Sequence, residues 1–208
     1  MPEFQAILFD FDGVLLDSEP VHAACWAEAL APLGISFDWD YYRTHFIGVE
    51  DAEVLRALAA LQNPPLDFET LWACYPRKQE LYRRRTESDP PFPKELAALL
   101  EDLATQYPLA VVSSSFRAEV EPLLVSGGLR QCFQALVCGE DVVHHKPAPD
   151  PYLLAARLLG VETALVVEDS QAGIASGRAA GFEVLPVPDP VSMLRLVSQR
   201  VSGDAARG

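Results

Sequence analysis

The chain has 208 residues, half of them hydrophobic, with 30 acidic residues against 16 lysines and arginines and a formal net charge of −14. This composition supports one large domain, or a core carrying a smaller insertion, and argues against disorder. The charge argues against binding to a nucleic-acid backbone, which requires a basic face, and means that a phosphate site needs local positive charge or a metal.

The first element is the apolar run Ala6-Ile7-Leu8-Phe9, which reads as a buried strand that Gly13 ends. It leads straight into Asp10-Phe11-Asp12-Gly13-Val14 and then Asp17-Ser18-Glu19. From 20 to 88 the chain reads as helical. Trp26, Leu30 and Leu33 form one stripe before Gly34, and Val54, Leu55, Leu58 and Leu61 form another before Asn63-Pro64-Pro65. Leu71, Trp72 and Tyr75 begin a third helical stretch, which Pro76 should kink or divide before it resumes through Leu81 and Tyr82.

The proline-rich joint Asp89-Pro90-Pro91-Phe92-Pro93 marks a boundary, and beyond it the rhythm becomes α/β. A helix carries Leu96, Leu99, Leu100 and Leu103. Strands are predicted at 109–112, 135–137, 164–167 and 183–185, and helices at 116–125, 151–159, 171–180 and 191–200. Short apolar strands alternating with helices predict an α/β fold, a Rossmann-like parallel sheet covered on both faces. We expect residues 1–17 and 90–208 to form this core and 18–89 an inserted helical domain above the sheet's carboxyl edge.

Polar chemistry follows each strong core strand. The first ends at Asp10 and Asp12, the second runs into Ser113-Ser114-Ser115, the third leads to His145-Lys146-Pro147 and the fourth ends at Glu168-Asp169-Ser170. In a parallel sheet these ends share one edge, so the groups can converge. Together they suit phosphoryl transfer. One aspartate can attack phosphorus while the other, two residues on, serves as acid and base. Lys146 can neutralise the transferring oxygens and the Ser113 hydroxyl can donate to them. The crowded carboxylates require a divalent cation, and hard oxygen ligands point to Mg²⁺.

These residues resemble the haloacid dehalogenase-like hydrolase superfamily. Asp10-Phe11-Asp12-Gly13-Val14 looks like its first motif, Ser113 its second, Lys146-Pro147 its third and Glu168-Asp169 its fourth. The run Glu168-Asp169-Ser170-Gln171-Ala172-Gly173-Ile174 is similar to the branch containing β-phosphoglucomutase and phosphoglycolate phosphatase-type enzymes, in which a helical cap is inserted just after the first motif. The resemblance implies that Asp10 is the nucleophile and Asp12 the general acid/base. It also implies that Mg²⁺ binds the Asp10 carboxylate, the Asp12 backbone carbonyl and Asp169, with Glu168 direct or through water. Ser113, Ser114 and Lys146 would hold the phosphoryl group.

The cap should choose the substrate. Lys78 resembles a cap lysine that reaches the substrate, and Gly48-Val49-Glu50-Asp51 looks like the substrate-specificity loop, with Gly48 and Glu50 as candidate contacts. Mutases of this branch carry an arginine in that loop for a second phosphate. Here Glu50 and Asp51 would repel one, which favours a phosphatase. His22 matches a histidine of the mutase relatives but suits a structural place on its helix. Arg83-Arg84-Arg85 reads as a solvated helix face, and His144 and His145 as loop residues.

We therefore expect a Mg²⁺-dependent phosphatase of a small phosphomonoester, such as a sugar phosphate. The alternatives are a sugar phosphomutase of the β-phosphoglucomutase type and a non-catalytic binder of phosphate ligands. Cys25, Cys74, Cys132 and Cys138 lack metal-ligand spacing and read as reduced, mostly buried thiols. No signal peptide is recognised, and no apolar run approaches the roughly 18 residues of a membrane span. The expectation is a cytoplasmic monomer that meets a small phosphorylated metabolite, with neither nucleic acid nor membrane as partner.

Overall fold

The computed structural model describes residues 4–47, 49 and 51–205. In chain order it has strand β1 (Ala6–Phe9), then helices α1 (Glu19–Leu30), α2 (Trp39–His45), α3 (Asp51–Ala60), α4 (Phe68–Trp72), α5 (Tyr75–Ser88) and α6 (Leu96–Ala104). Strand and helix then alternate: β2 (Leu109–Val112), α7 (Arg117–Ser126), β3 (Ala135–Val137), α8 (Asp150–Leu159), β4 (Ala164–Glu168), α9 (Gln171–Ala179), β5 (Glu183–Pro186) and α10 (Pro190–Ala205). The chain divides into two compact units, Met1–Asp17 with Pro90–Gly208, and Ser18–Asp89.

The first unit is an α/β Rossmann-like fold. Its five strands are all parallel in the order β3-β2-β1-β4-β5. β1 is the middle strand, and the connections diverge on its two sides, so its carboxyl end is the topological switch point where such sheets bind ligands. Side chains alternate between the faces. Ile7, Phe9, Val111 and Val167 join Leu100, Val120 and Met193 in one cluster. Ala6, Leu8, Val112, Ala164 and Val166 pack with Tyr152 and Ala155 of α8 in the other. Each fully buried large side chain of this kind stabilises the fold by about 1.5–3 kcal/mol. The same two-residue period carries Asp10, after Ala6 and Leu8, and Glu168, after Ala164 and Val166, toward the α8 side.

The second unit is all helical. α1 packs along α5, around a core that includes Trp26, Leu30, Leu55, Leu71 and Leu81. Gly34 adopts φ 76°, left-handed backbone that closes the turn after α1. The predicted division near Pro76 falls earlier, at Ala73 and Cys74, because Pro76 fits the first turn of α5, where no backbone N–H is needed. Leu61, expected on the buried stripe, lies past the end of α3 and is 62% exposed. The chain turns back there, and Leu66 donates its N–H to the Ala59 carbonyl and packs on the core in its place. No helix among the described residues is long and apolar enough to cross a membrane.

Candidate active site

Asp10 leaves the end of β1 buried, its N–H bonded to the Val167 carbonyl of β4 at 3.0 Å. Register sets it beside Glu168, since Phe9 pairs with Val167. Lys146 comes from the loop before α8, with its side chain only 6% exposed. Its ammonium donates to Asp10 Oδ1 at 2.5 Å, to Glu168 Oε1 at 2.7 Å and to the Val112 carbonyl at 3.0 Å. The three predicted strand ends and the lysine thus meet at one point of the sheet edge.

Glu168 is wholly buried and closely held. Besides Lys146, its Oε1 accepts from the Tyr152 hydroxyl at 3.0 Å. Its Oε2 accepts from the Ser170 N–H at 2.9 Å and the Ser170 hydroxyl at 3.0 Å. Ser170 also caps α9, its Oγ accepting from the Gly173 N–H at 3.0 Å. Only glycine fits at 173, because a β-carbon there would fall on the Glu168 carboxylate.

Asp12 accepts from the Ser115 hydroxyl at 3.1 Å. Gly13 turns the chain at φ 78° and lies so near Asp169 that a β-carbon would strike its carboxylate. Ser113 is buried, and its Oγ accepts from the Ser115 N–H at 3.0 Å. Ser114 is exposed, with its backbone carbonyl packed on Gly139.

The electrostatics fit an anion-and-cation site. Burial pushes the Asp10 carboxyl up, to about 8, against the pull of Lys146 and with Glu168 adding to the rise. Asp169 rises to about 6 through burial first and the Glu168 charge second. Burial opposes the charge on Lys146, but Asp10 and Glu168 outweigh it and hold the ammonium above its usual range. Carboxylate oxygens of Asp10, Glu168 and Asp169 lie within 4.8 Å of one another. The hard oxygens of Asp10 and Asp169, both raised in pKa beside the Glu168 carboxylate, fit a small divalent cation such as Mg²⁺.

Lys78 belongs to the helical unit. It is 3% exposed and donates to Asp51 Oδ2 at 2.7 Å, while Trp26 Nε1 donates to Asp51 Oδ1 at 2.7 Å. Its ammonium also faces the rings of Trp26, Tyr75 and Tyr82. His22 stacks on Tyr82 at 4.3 Å. Arg83 pairs with Glu80 and Glu87, Arg85 with Glu28, and His144 with Asp150. Gly48 and Glu50, expected in the specificity loop, lie outside the described residues.

Sequence reasoning missed Ser115 and Tyr152. Ser115 is the third of three serines, and nothing in the pattern singles it out for Asp12. Tyr152 shares the buried face of α8 with Ala155 and Ala156 and so reads as core.

Comparison with known proteins shows the family. The family model of haloacid dehalogenase-like hydrolases matches residues 7–187. Fructose-1-phosphate phosphatase YqaB of Escherichia coli is 33% identical over 192 residues, covering 88% of this chain and 96% of that protein. The beta-phosphoglucomutase of Mycobacterium tuberculosis is 32% identical over 215 residues, covering 89% of this chain and 81% of its own. Among solved structures, CbbY from Rhodobacter sphaeroides in complex with phosphate is similar with a TM-score of 0.61 and 29% identity, covering 88% of this chain and 87% of that one. With the motifs on a Rossmann-like sheet and the match running almost end to end, the chain belongs to the haloacid dehalogenase-like hydrolase family and is a phosphoric monoester hydrolase.

Proposed function

We propose that the protein is a Mg²⁺-dependent phosphatase that hydrolyses a small sugar phosphate or similar phosphomonoester through an aspartyl-phosphate on Asp10. The observation that carries this reading is the buried Asp10 carboxylate at the end of the central strand, held by Lys146 and flanked by Glu168 and Asp169. The fructose-1-phosphate phosphatase relative supports the substrate class.

In this mechanism an Asp10 oxygen attacks phosphorus and the bond to the ester oxygen breaks. Asp12 gives its proton to the leaving alkoxide, so the product is a neutral alcohol. Asp12 then takes a proton from water as that water attacks phosphorus, which frees phosphate and restores the Asp10 carboxylate. Lys146 and the Ser113 hydroxyl hold the phosphoryl oxygens, and the Ser115 hydroxyl orients Asp12. Asp10, Asp169 and the Asp12 backbone carbonyl would hold Mg²⁺, which would supply positive charge to offset the negative charge of the phosphoryl oxygens.

In the same reading residues 18–89 are the cap that selects the substrate, with Gly48, Glu50 and Lys78 as contacts. The Lys78 charge is matched by Asp51, which favours a monoester over a bisphosphate and so hydrolysis over mutase chemistry. The protein acts as a monomer in the cytoplasm; its four free cysteines suit that reducing compartment.

The test is a panel of phosphorylated metabolites with Mg²⁺, including fructose 1-phosphate and β-glucose 1-phosphate with a bisphosphate activator. Wild-type protein should release phosphate, and Asp10→Asn should lose at least about 10³-fold in turnover while staying folded. Isomerised sugar phosphate in place of free phosphate would make the protein a mutase. Near-wild-type turnover by Asp10→Asn would remove the covalent mechanism.

A further inference from the structure

We propose that Tyr152 is a positioning residue, which with Ser170 fixes Glu168 as the seat of the Lys146 ammonium and keeps Glu168 out of the metal's ligand set. A carboxylate has about four lone-pair directions. In Glu168 all four are occupied by protein donors: Lys146 and the Tyr152 hydroxyl on Oε1, the Ser170 N–H and hydroxyl on Oε2. A metal ligand among these oxygens would have to break one of four bonds in a wholly buried place. Asp169, by contrast, keeps access to solvent although its surroundings partly desolvate it, and it has the ligand-ready carboxylate of the pair.

The arrangement gives each member a distinct task. Lys146 has three N–H donors, and Glu168 and the Val112 carbonyl hold two of them. The third points at Asp10, where the reaction above needs positive charge. The Tyr152 ring supports the same ammonium from 5.0 Å. Without the Tyr152 hydroxyl, Oε1 loses one of its two donors in a buried place, Glu168 is held less firmly, and the aim of Lys146 loosens.

The kinetic arm of the test rests on the phosphatase reading; the metal arm does not. Mn²⁺ is titrated calorimetrically into metal-free wild-type protein and into the Tyr152→Phe, Glu168→Gln and Asp169→Asn variants. Inorganic phosphate affinity and kcat/KM are then measured at saturating Mg²⁺. Asp169→Asn should raise the Mn²⁺ dissociation constant by about 20-fold or more, and Glu168→Gln and Tyr152→Phe by less than about fivefold. Tyr152→Phe keeps the ring, so it should weaken phosphate binding and lower kcat/KM by about tenfold while leaving metal affinity in place. That split is what a merely structural role for the hydroxyl would not produce.

Glu168→Gln losing Mn²⁺ as strongly as Asp169→Asn would overturn the assignment. So would Tyr152→Phe with phosphate affinity and kcat/KM within about twofold of wild type. If Glu168→Gln does not fold, Tyr152→Phe decides alone, because a tenfold loss of Mn²⁺ there would equally make Glu168 a ligand. Failure of wild-type protein to release phosphate from any monoester would count against the phosphatase and leave the metal result standing.

Discussion

Gly173 stands so close to Glu168 that the first carbon of any side chain would occupy the place of the carboxylate. The N-terminal turn of α9 and the buried end of β4 are thus fitted to each other through one missing atom. Gly173→Ala should push Glu168 off Lys146, costing about 1–3 kcal/mol of stability from overpacking and about tenfold in kcat/KM. Urea melts and steady-state kinetics on this variant check both.

Divalent cation should be indispensable to turnover. Dialysis against a chelator should abolish phosphate release and added Mg²⁺ should restore it. Asp169→Asn should require about tenfold more Mg²⁺ for half-maximal rate. Full activity of chelated protein would remove the metal from the reaction.

The ion pair of the helical unit should show strong coupling. Lys78 is almost wholly buried on Asp51, so Asp51→Ala or Lys78→Ala alone should cost about 3 kcal/mol by leaving a charge unpaired. The double variant should cost clearly less than the sum of the two. Additive losses in a double-mutant cycle of urea midpoints would mean that the pair contributes nothing of its own.

His22 sets a pH dependence. Burial first, and then the Lys78 charge, lower its pKa from 6.5 to about 4, and its Nδ1 has no hydrogen-bond partner. A depressed base favours folding while neutral. That stability is complete above the unfolded pKa of 6.5 and is lost as pH falls toward 4. Between pH 7 and 4.5 wild-type protein should lose about 2–3 kcal/mol more than His22→Phe, which keeps the stack on Tyr82 without a titrating group. Parallel denaturation curves at the two pH values make the comparison, and equal losses would contradict it.

Much of the core was legible because its signals are local. Four apolar residues followed by an acid or hydroxyl suffice to locate β1, β2 and β4, and a parallel sheet then brings Asp10, Lys146 and Glu168 together. The helical unit was less legible. Leu61 fits the α3 stripe by spacing alone, and only the turn that buries Leu66 moves it to solvent. α2 was not separated from its neighbours, since its seven residues are too few to display a period. Tyr152 shows a different limit. Its ring satisfies the apolar pattern of α8, and its hydroxyl gains meaning only once folding brings Glu168, at the end of β4, to it.

The two core segments that flank the helical insertion meet each other, the Asp17 N–H donating to the Pro91 carbonyl at 3.0 Å. The core chain is therefore nearly continuous across a gap of more than seventy residues. Such a closed seam allows residues 18–89 to diverge, lengthen or be exchanged during evolution without reopening the sheet.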